Sequence, residues 1–137
     1  MNFQSGMAAF EAKHFSRAMQ LLSPLAEQGD ADAQHRVAIL YQNGLGVTRD
    51  PARALLWMRR AAEQGHALAQ HGMGFIHLIG EGIARDPGAA AQWFRRAAEQ
   101  GLAGSQIALG QLYQQGDGVE QDPDEAQRWF DLAGLQE

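Results

Sequence analysis

The chain contains no cysteine, which excludes disulfides, thiolate metal sites and a cysteine nucleophile. It is short of positive charge: 11 Lys and Arg stand against 16 Asp and Glu, for a net charge of -5. Nucleic acids and anionic membranes are held mainly by clustered cations, so neither is an expected partner. The local pairs Arg59-Arg60 and Arg95-Arg96 recur at one place of a repeat with Glu nearby, and read as a solvated face. No run approaches 18 apolar residues, so membrane insertion is not expected. The opening Met-Asn-Phe-Gln-Ser-Gly lacks a basic start leading into an apolar stretch. The expectation is a soluble, unaddressed chain, cytoplasmic rather than periplasmic unless a signal has been removed. Serine occurs only at 5, 16, 23 and 105, with no base at a useful spacing, so neither an enzyme nor a bound cofactor is expected.

What is present is ordinary for a folded protein: 137 residues, 45% hydrophobic and 20% charged. That is enough for one domain able to bury roughly two thirds of its unfolded surface. The decisive feature is internal repetition. Gly29, Gly65 and Gly101 each follow a Gln, spaced by 36 residues, and laying 29–64 over 65–100 gives 18 identical positions out of 36. A third unit, 101–135, keeps Ala103, Gln106, Gly116, Gly118, Asp122, Pro123, Ala126 and Trp129.

Each unit reads as two helices. Val37, Ile39, Leu40 and Tyr41 follow a helical period over 31–43, and Gly44 is placed to end that helix. A connector with two glycines follows. Asp50-Pro51 then opens the second helix, Asp as cap and Pro at the first position, where its missing N–H costs nothing. The pair returns at Asp86-Pro87 and Asp122-Pro123, so three of the four prolines are helix starts. Ala54, Trp57, Met58, Ala61 and Ala62 are expected on the buried face. Trp57, Trp93 and Trp129 are expected to fill the space between layers. Residues 1–28 read as a shorter hairpin with a tight turn at Lys13-His14. In its second helix Ala18, Leu21, Leu22 and Leu25 align with Ala54, Trp57, Met58 and Ala61. Pro24 falls inside that helix and removes one backbone hydrogen bond, which should kink it.

The string Ala-x-Ala-Gln-x-x-x-Ala-x-x-Tyr-x-x-Gly-x-Gly-Val-x-x-Asp over 31–50, followed by Ala54, Trp57 and Arg60-Ala-Ala-x-Gln-Gly65, closely resembles the Sel-one-like repeat, a relative of the tetratricopeptide repeat. The resemblance covers about 29–135, and 1–28 is more like a tetratricopeptide unit. It implies an all-α, right-handed α-solenoid of about four antiparallel helical hairpins. It also implies an adaptor that assembles other proteins, in families mostly bacterial or belonging to eukaryotic signalling and protein quality control. Four departures stand out. His77 replaces the Tyr found at 41 and 113, and Gly74 stands where repeat one has Ala38. The cysteine-rich members' disulfides, and the β-lactam binding once associated with them, do not transfer. The ending Asp131-Leu-Ala-Gly-Leu-Gln-Glu137 loses the Arg-Arg-Ala-Ala-Glu-Gln-Gly signature and reads as a cap.

In such stacks the first helices line a concave face, which the resemblance and the helical period together place at 32, 35, 39 and 42 and their equivalents. The expected partner-binding residues are Asp32, His35, Ile39 and Gln42, then Leu68, His71, Phe75 and Leu78. Repeat three offers Gly104, Ile107, Gln111 and Gln114, and the first hairpin Phe3, Met7 and Phe10. An apolar strip of this kind marks an interaction site and suits a protein or peptide partner with apolar anchors. A plainer reading stands beside it, in which Phe3, Met7 and Phe10 serve only as core against Phe15 and Leu22. His35 and His71 are equivalent but have no carboxylate at i+3 or i+4, so groove residues are expected rather than metal ligands. His66 is expected to be solvated. The glycine connectors could suggest phosphate binding, but Asp50, Asp86 and Asp122 at the helix starts would repel an anion. A self-associating module, as a homodimer using the same residues, and a small-ligand or carbohydrate-binding accessory domain are the alternatives.

Overall fold

The computed structural model describes residues 3–135 and shows, among them, eight α-helices and no strand. They fall into two compact units, Met1–His66 and Ala67–Glu137. The first unit holds α1 (Phe3–Glu11), α2 (Phe15–Glu27), α3 (Ala31–Asn43) and α4 (Pro51–Glu63). The second holds α5 (Ala67–Ile79), α6 (Pro87–Glu99), α7 (Ala103–Gln115) and α8 (Pro123–Leu132). Within each unit every helix packs against the next one in sequence. The fold is therefore an all-α repeat of helical hairpins. Residues 136 and 137 of the expected cap lie outside the described residues. Inside them, α8 is shorter than α4 and α6, and Gly134 takes a left-handed φ of 84° at the place of Ala62 and Ala98.

The helix boundaries have local causes. Asp50, Asp86 and Asp122 each accept a hydrogen bond from the backbone N–H three residues on, at 3.1, 3.0 and 3.1 Å, with Pro at the first helical position. That satisfies one of the free donors of the first turn. Asp30 does the same for α3 through Ala33. Gly44 and Gly116 close α3 and α7 in the left-handed conformation. The turn between α1 and α2 has Lys13 at φ 63°. From there α2 runs through Pro24 as one helix.

Packing within and between hairpins depends on small residues meeting large ones. In the first unit Leu22, Val37 and Leu40 are fully enclosed with Ala18, Ala26 and Ala33, and Trp57 packs partly buried against them. In the second unit the largest enclosed side chain is Phe94, in one core cluster with Ala90, Ala91, Ala98, Leu109, Leu112 and Trp129. The expectation that the three tryptophans fill the interlayer space holds for Trp129 alone. Trp57 and Trp93 are half-buried, each under a guanidinium, Arg60 at 4.9 Å and Arg96 at 4.6 Å from the ring centre. The residues after these two, Met58 and Phe94, turn inward instead. Phe94 reaches the backbone of α5 at Gly74, where an added Cβ would stand 2.5 Å from the ring, and Phe130 meets Gly110 likewise at 2.6 Å. Repeat one has the pair Met58 and Ala38 at those places. A flexible thioether there goes with a methyl, a flat ring with glycine.

Three buried glutamines, Gln34, Gln70 and Gln106, recur at the 36-residue spacing. The Gln34 amide donates to the Ala26 carbonyl at the end of α2 (3.0 Å), and Gln106 donates to Ala98 at the end of α6 (3.1 Å). Their oxygens are used as well: Gln64 donates to Gln34 Oε1 and Gln100 to Gln70 Oε1, both at 2.8 Å. The connector glycines lock the same neighbours from the other end. Gly46 lies on the Phe15-Ser16 backbone and Gly118 on Pro87-Gly88, so close that a Cβ at 118 would stand 2.3 Å from the Pro87 carbonyl carbon.

Two stability measurements follow from this packing. Gly101 and Gly118 both have positive φ, 92° and 74°, but only Gly118 has backbone within reach of a Cβ. Gly101→Ala is expected to cost about 1–2 kcal/mol of backbone strain, and Gly118→Ala clearly more in denaturant unfolding. Equal losses would mean that the close approach is not needed. Gly74→Ala is expected to lose about 1–3 kcal/mol by overpacking Phe94. Adding Phe94→Met, which restores the repeat-one pair, should recover part of it. Strictly additive losses in the double-mutant cycle would refute the coupling.

Candidate binding face

The first helices of the second unit carry no Asp, Glu, Lys or Arg: α5 reads ALAQHGMGFIHLI and α7 reads AGSQIALGQLYQQ. The inner side of α5 is fixed by Ala69, Met73, Gly74 and Ile76, all buried. That forces Leu68, Phe75 and Ile79 to the outside, where they are 46%, 43% and 61% exposed. Spacings of seven and four residues put all three on one stripe of the helix. Lone exposed apolar residues are common, but an aligned set on an uncharged helix is a surface suited to burial.

His71 braces the stripe from beneath. Its ring meets Phe75 and Phe94 edge-on, with centroids 4.9 and 5.3 Å away, and Phe75 meets Phe94 at 5.3 Å. Its Nδ1 lies 2.7 Å from the Ser105 hydroxyl on α7. Gly104 lies alongside the imidazole: an added Cβ would stand in ordinary contact with it, 3.5 Å from its Cε1. Burial holds the His71 pKa below the usual histidine value. From α7 the face receives half-buried Ile107 and exposed Gln111 and Gln114. Leu78 is half-buried and packs against the core of this unit. Ile79 was missed by the sequence reading, which ended the strip one residue earlier. Its signal is a large apolar side chain at the place of Asn43 and Gln115.

In the first unit the same positions look different. His35 is only 7% exposed and is enclosed rather than lining an open surface. Ile39 and Gln42 are half-buried and Asp32 is exposed. The expectation of a solvated His66 is overturned: its side chain is 13% exposed, its Nε2 lies 2.7 Å from Asp32 Oδ1, and its ring is 4.8 Å from that of His35. Phe3 and Phe10 pack against the core cluster of the unit, Phe10 edge-on to Phe15 at 5.8 Å, while Arg36 covers the Phe10 ring at 5.0 Å. Met7 is half-buried beside them.

The structure also brings together a serine and a base that the sequence spacing had not suggested. Ser105 and His71 are in hydrogen-bond contact, yet Ser105 is 0% exposed. A hydroxyl that no substrate can reach is a packing contact, not a nucleophile. Among the described residues no group of three His, Asp or Glu is placed to hold a metal ion, and no helix is long and apolar enough to cross a membrane.

Comparison with known proteins agrees with this architecture. The family model described as Sel1 repeat matches residues 31–66, 67–102 and 103–137, the same 36-residue period read two residues later in phase. A Sel1 repeat protein from Oxalobacter formigenes is similar at 34% identity and a TM-score of 0.91, over 96% of this chain and 52% of that one. The c5321 protein, a protective antigen present in uropathogenic Escherichia coli strains and displaying an SLR fold, is 40% identical with a TM-score of 0.81. That match covers 82% of this chain and 24% of the other. The chain thus spans about half of the first of those proteins and about a quarter of the second. No curated protein matches it.

The histidines make stability depend on pH. Burial pushes the His35 pKa down to about 4, with His66 and then Arg36 adding to the fall and Asp32 opposing it. Above about pH 6.5 both folded and unfolded chains carry this histidine neutral. As pH falls toward 4 only the unfolded chain takes up the proton, so stability drops, by at most about 3 kcal/mol. Denaturant unfolding at a series of pH values should show this decline, and His35→Phe should remove most of it. An unchanged slope in that variant would assign the effect elsewhere.

Proposed function

Because the chain belongs to the Sel1 repeat family, whose repeats generally serve as scaffolds for protein–protein interaction, we propose that it is an adaptor holding a protein or peptide segment on the face of α5 and α7. The observation that carries this reading is the exposed stripe of Leu68, Phe75 and Ile79 on a helix without a single charge. Covering the exposed part of each side chain would contribute roughly 1 kcal/mol. A few such anchors supply most of the energy of a typical interface. His71 contributes indirectly, by fixing the ring of Phe75. Ile107 widens the apolar area, and Gln111 and Gln114 offer amide groups at its edge. In the first unit His35, Phe3 and Phe10 belong to the packing. Binding requires no cofactor and no chemical step.

The test uses residues that the repeats themselves supply. Leu68→Asp, Phe75→Gln and Ile79→Asn copy Asp32, Gln111 and Asn43 from the equivalent places of repeats one and three, so the fold should accept them. The parent chain and the triple variant, matched for helicity by circular dichroism, would each be used to capture proteins from lysate. A partner retained by the parent and lost by the variant is the expected result. Retention by both would move the site to another face and remove this one from consideration.

A further inference from the structure

The geometry points to the class of segment that this face takes: an extended, uncharged peptide whose side chains rest on α5 and whose backbone is read by the glutamines of α7. The inference rests on the binding reading above and narrows it. Its first ground is charge. Of the 27 charged residues in the chain none lies on α5 or α7, although Asp32 and Arg36 occupy the equivalent places on α3. A charged segment laid on this face would lose hydration with no opposite charge to meet it, at a cost far above that of a neutral one. An uncharged segment meets no such penalty.

The second ground is the pairing of an apolar row with an amide row. The two rows adjoin, because His71 on α5 is bonded to Ser105 on α7 and sits against Gly104. On α5 the row is Leu68, Phe75 and Ile79. On α7 the equivalents of Phe75 and Leu78 are Gln111 and Gln114, both exposed. A carboxamide carries a donor and an acceptor, the same pair that a peptide group presents. A helical partner has already used those groups internally, so exposed amides would add little to holding it. An extended segment leaves N–H and C=O open along its length. The apolar row runs 11 residues along α5, about 16 Å, which is the span of roughly five extended residues.

The experiment is selection from a random peptide library displayed on phage, with counter-selection on the triple variant Leu68→Asp, Phe75→Gln, Ile79→Asn. Enriched peptides would be synthesised and measured by fluorescence anisotropy against the parent, the triple variant and a Gln111→Leu, Gln114→Leu variant, beside peptides N-methylated at alternate bonds. The expected result is peptides without Asp, Glu, Lys or Arg that fail to bind the triple variant. They should weaken roughly two- to tenfold with N-methylation in one of the two registers, and by a similar factor with the glutamine variant, the loss of about one neutral hydrogen bond. Peptides that need the stripe but carry charge, or that bind as helices and ignore the glutamines, would overturn this inference and leave the binding face standing. Peptides that bind parent and triple variant alike, or no enrichment at all, would overturn both. A sedimentation profile showing a dimer of the parent that the triple variant abolishes would make a second copy the occupant, and would also overturn the inference.

Discussion

The arrangement of the first unit depends on a carboxamide buried where three helices meet. Gln34 sits near the start of α3, donates to the last turn of α2 and accepts from the end of α4. The carbonyls at a helix end have no partner within the helix, and burying one without a donor costs free energy comparable to a lost hydrogen bond. The glutamine therefore does more than fill space. It makes the end of one hairpin an acceptable surface for the next. Gln64, which completes the arrangement, also donates to the Gly29 carbonyl in the turn before α3, so one side chain fixes both the turn and the buried amide. In the second unit Gln106 and Gln100 make the corresponding bonds to Ala98 and Gln70.

That junction joins one hairpin to the next; inside each hairpin, side-chain volumes must match as well. Native interiors are packed as densely as organic crystals, so a ring enlarged on one helix needs a residue reduced on the next. Gly74 and Gly110 meet that need opposite Phe94 and Phe130. The connectors follow the same logic at the other end of the hairpin, where Gly46 and Gly118 let one loop lie directly on the first turn of an earlier helix. A positive φ alone would have explained these glycines from sequence. The contact shows that closeness is a second, separate demand.

Much of this was legible in the sequence because repetition displays its own rules. The helix limits at Ala31 and Asn43, the Asp-Pro starts and the glycine stops are local chemistry, written within four residues of where they act. What stayed hidden depends on contacts between distant residues. His66 looked solvated because its partner, Asp32, lies 34 residues away. His71 and Ser105 are separated by the same 34 residues. The choice between Trp93 and Phe94 as the enclosed ring was beyond sequence reasoning for another reason. Adjacent large residues on a helix differ by about 100° in direction, and which one faces inward depends on where the neighbouring helix lies. Trp93 gives up the interior and is covered by Arg96 instead, while glycine at 74 was the one trace in sequence of a ring pressing on α5.

The comparison of repeats with one another also separates what the fold requires from what it leaves open. Positions held in all three repeats, such as Gln34, Gln70 and Gln106 or Asp50, Asp86 and Asp122, each make a bond that builds a hairpin or joins it to its neighbour, wherever those bonds are seen. Positions 32, 39 and 43 and their equivalents follow no such rule: Asp32, Leu68 and Gly104; Ile39, Phe75 and Gln111; Asn43, Ile79 and Gln115. A scaffold indifferent to these residues would tolerate polar ones in every repeat, as repeats one and three largely do. Repeat two instead exposes three large apolar side chains there, a choice that lowers solubility, although the ring of Phe75 also meets His71 and Phe94. An exposed apolar row at positions that the other repeats leave largely polar is the pattern on which the proposed binding face rests.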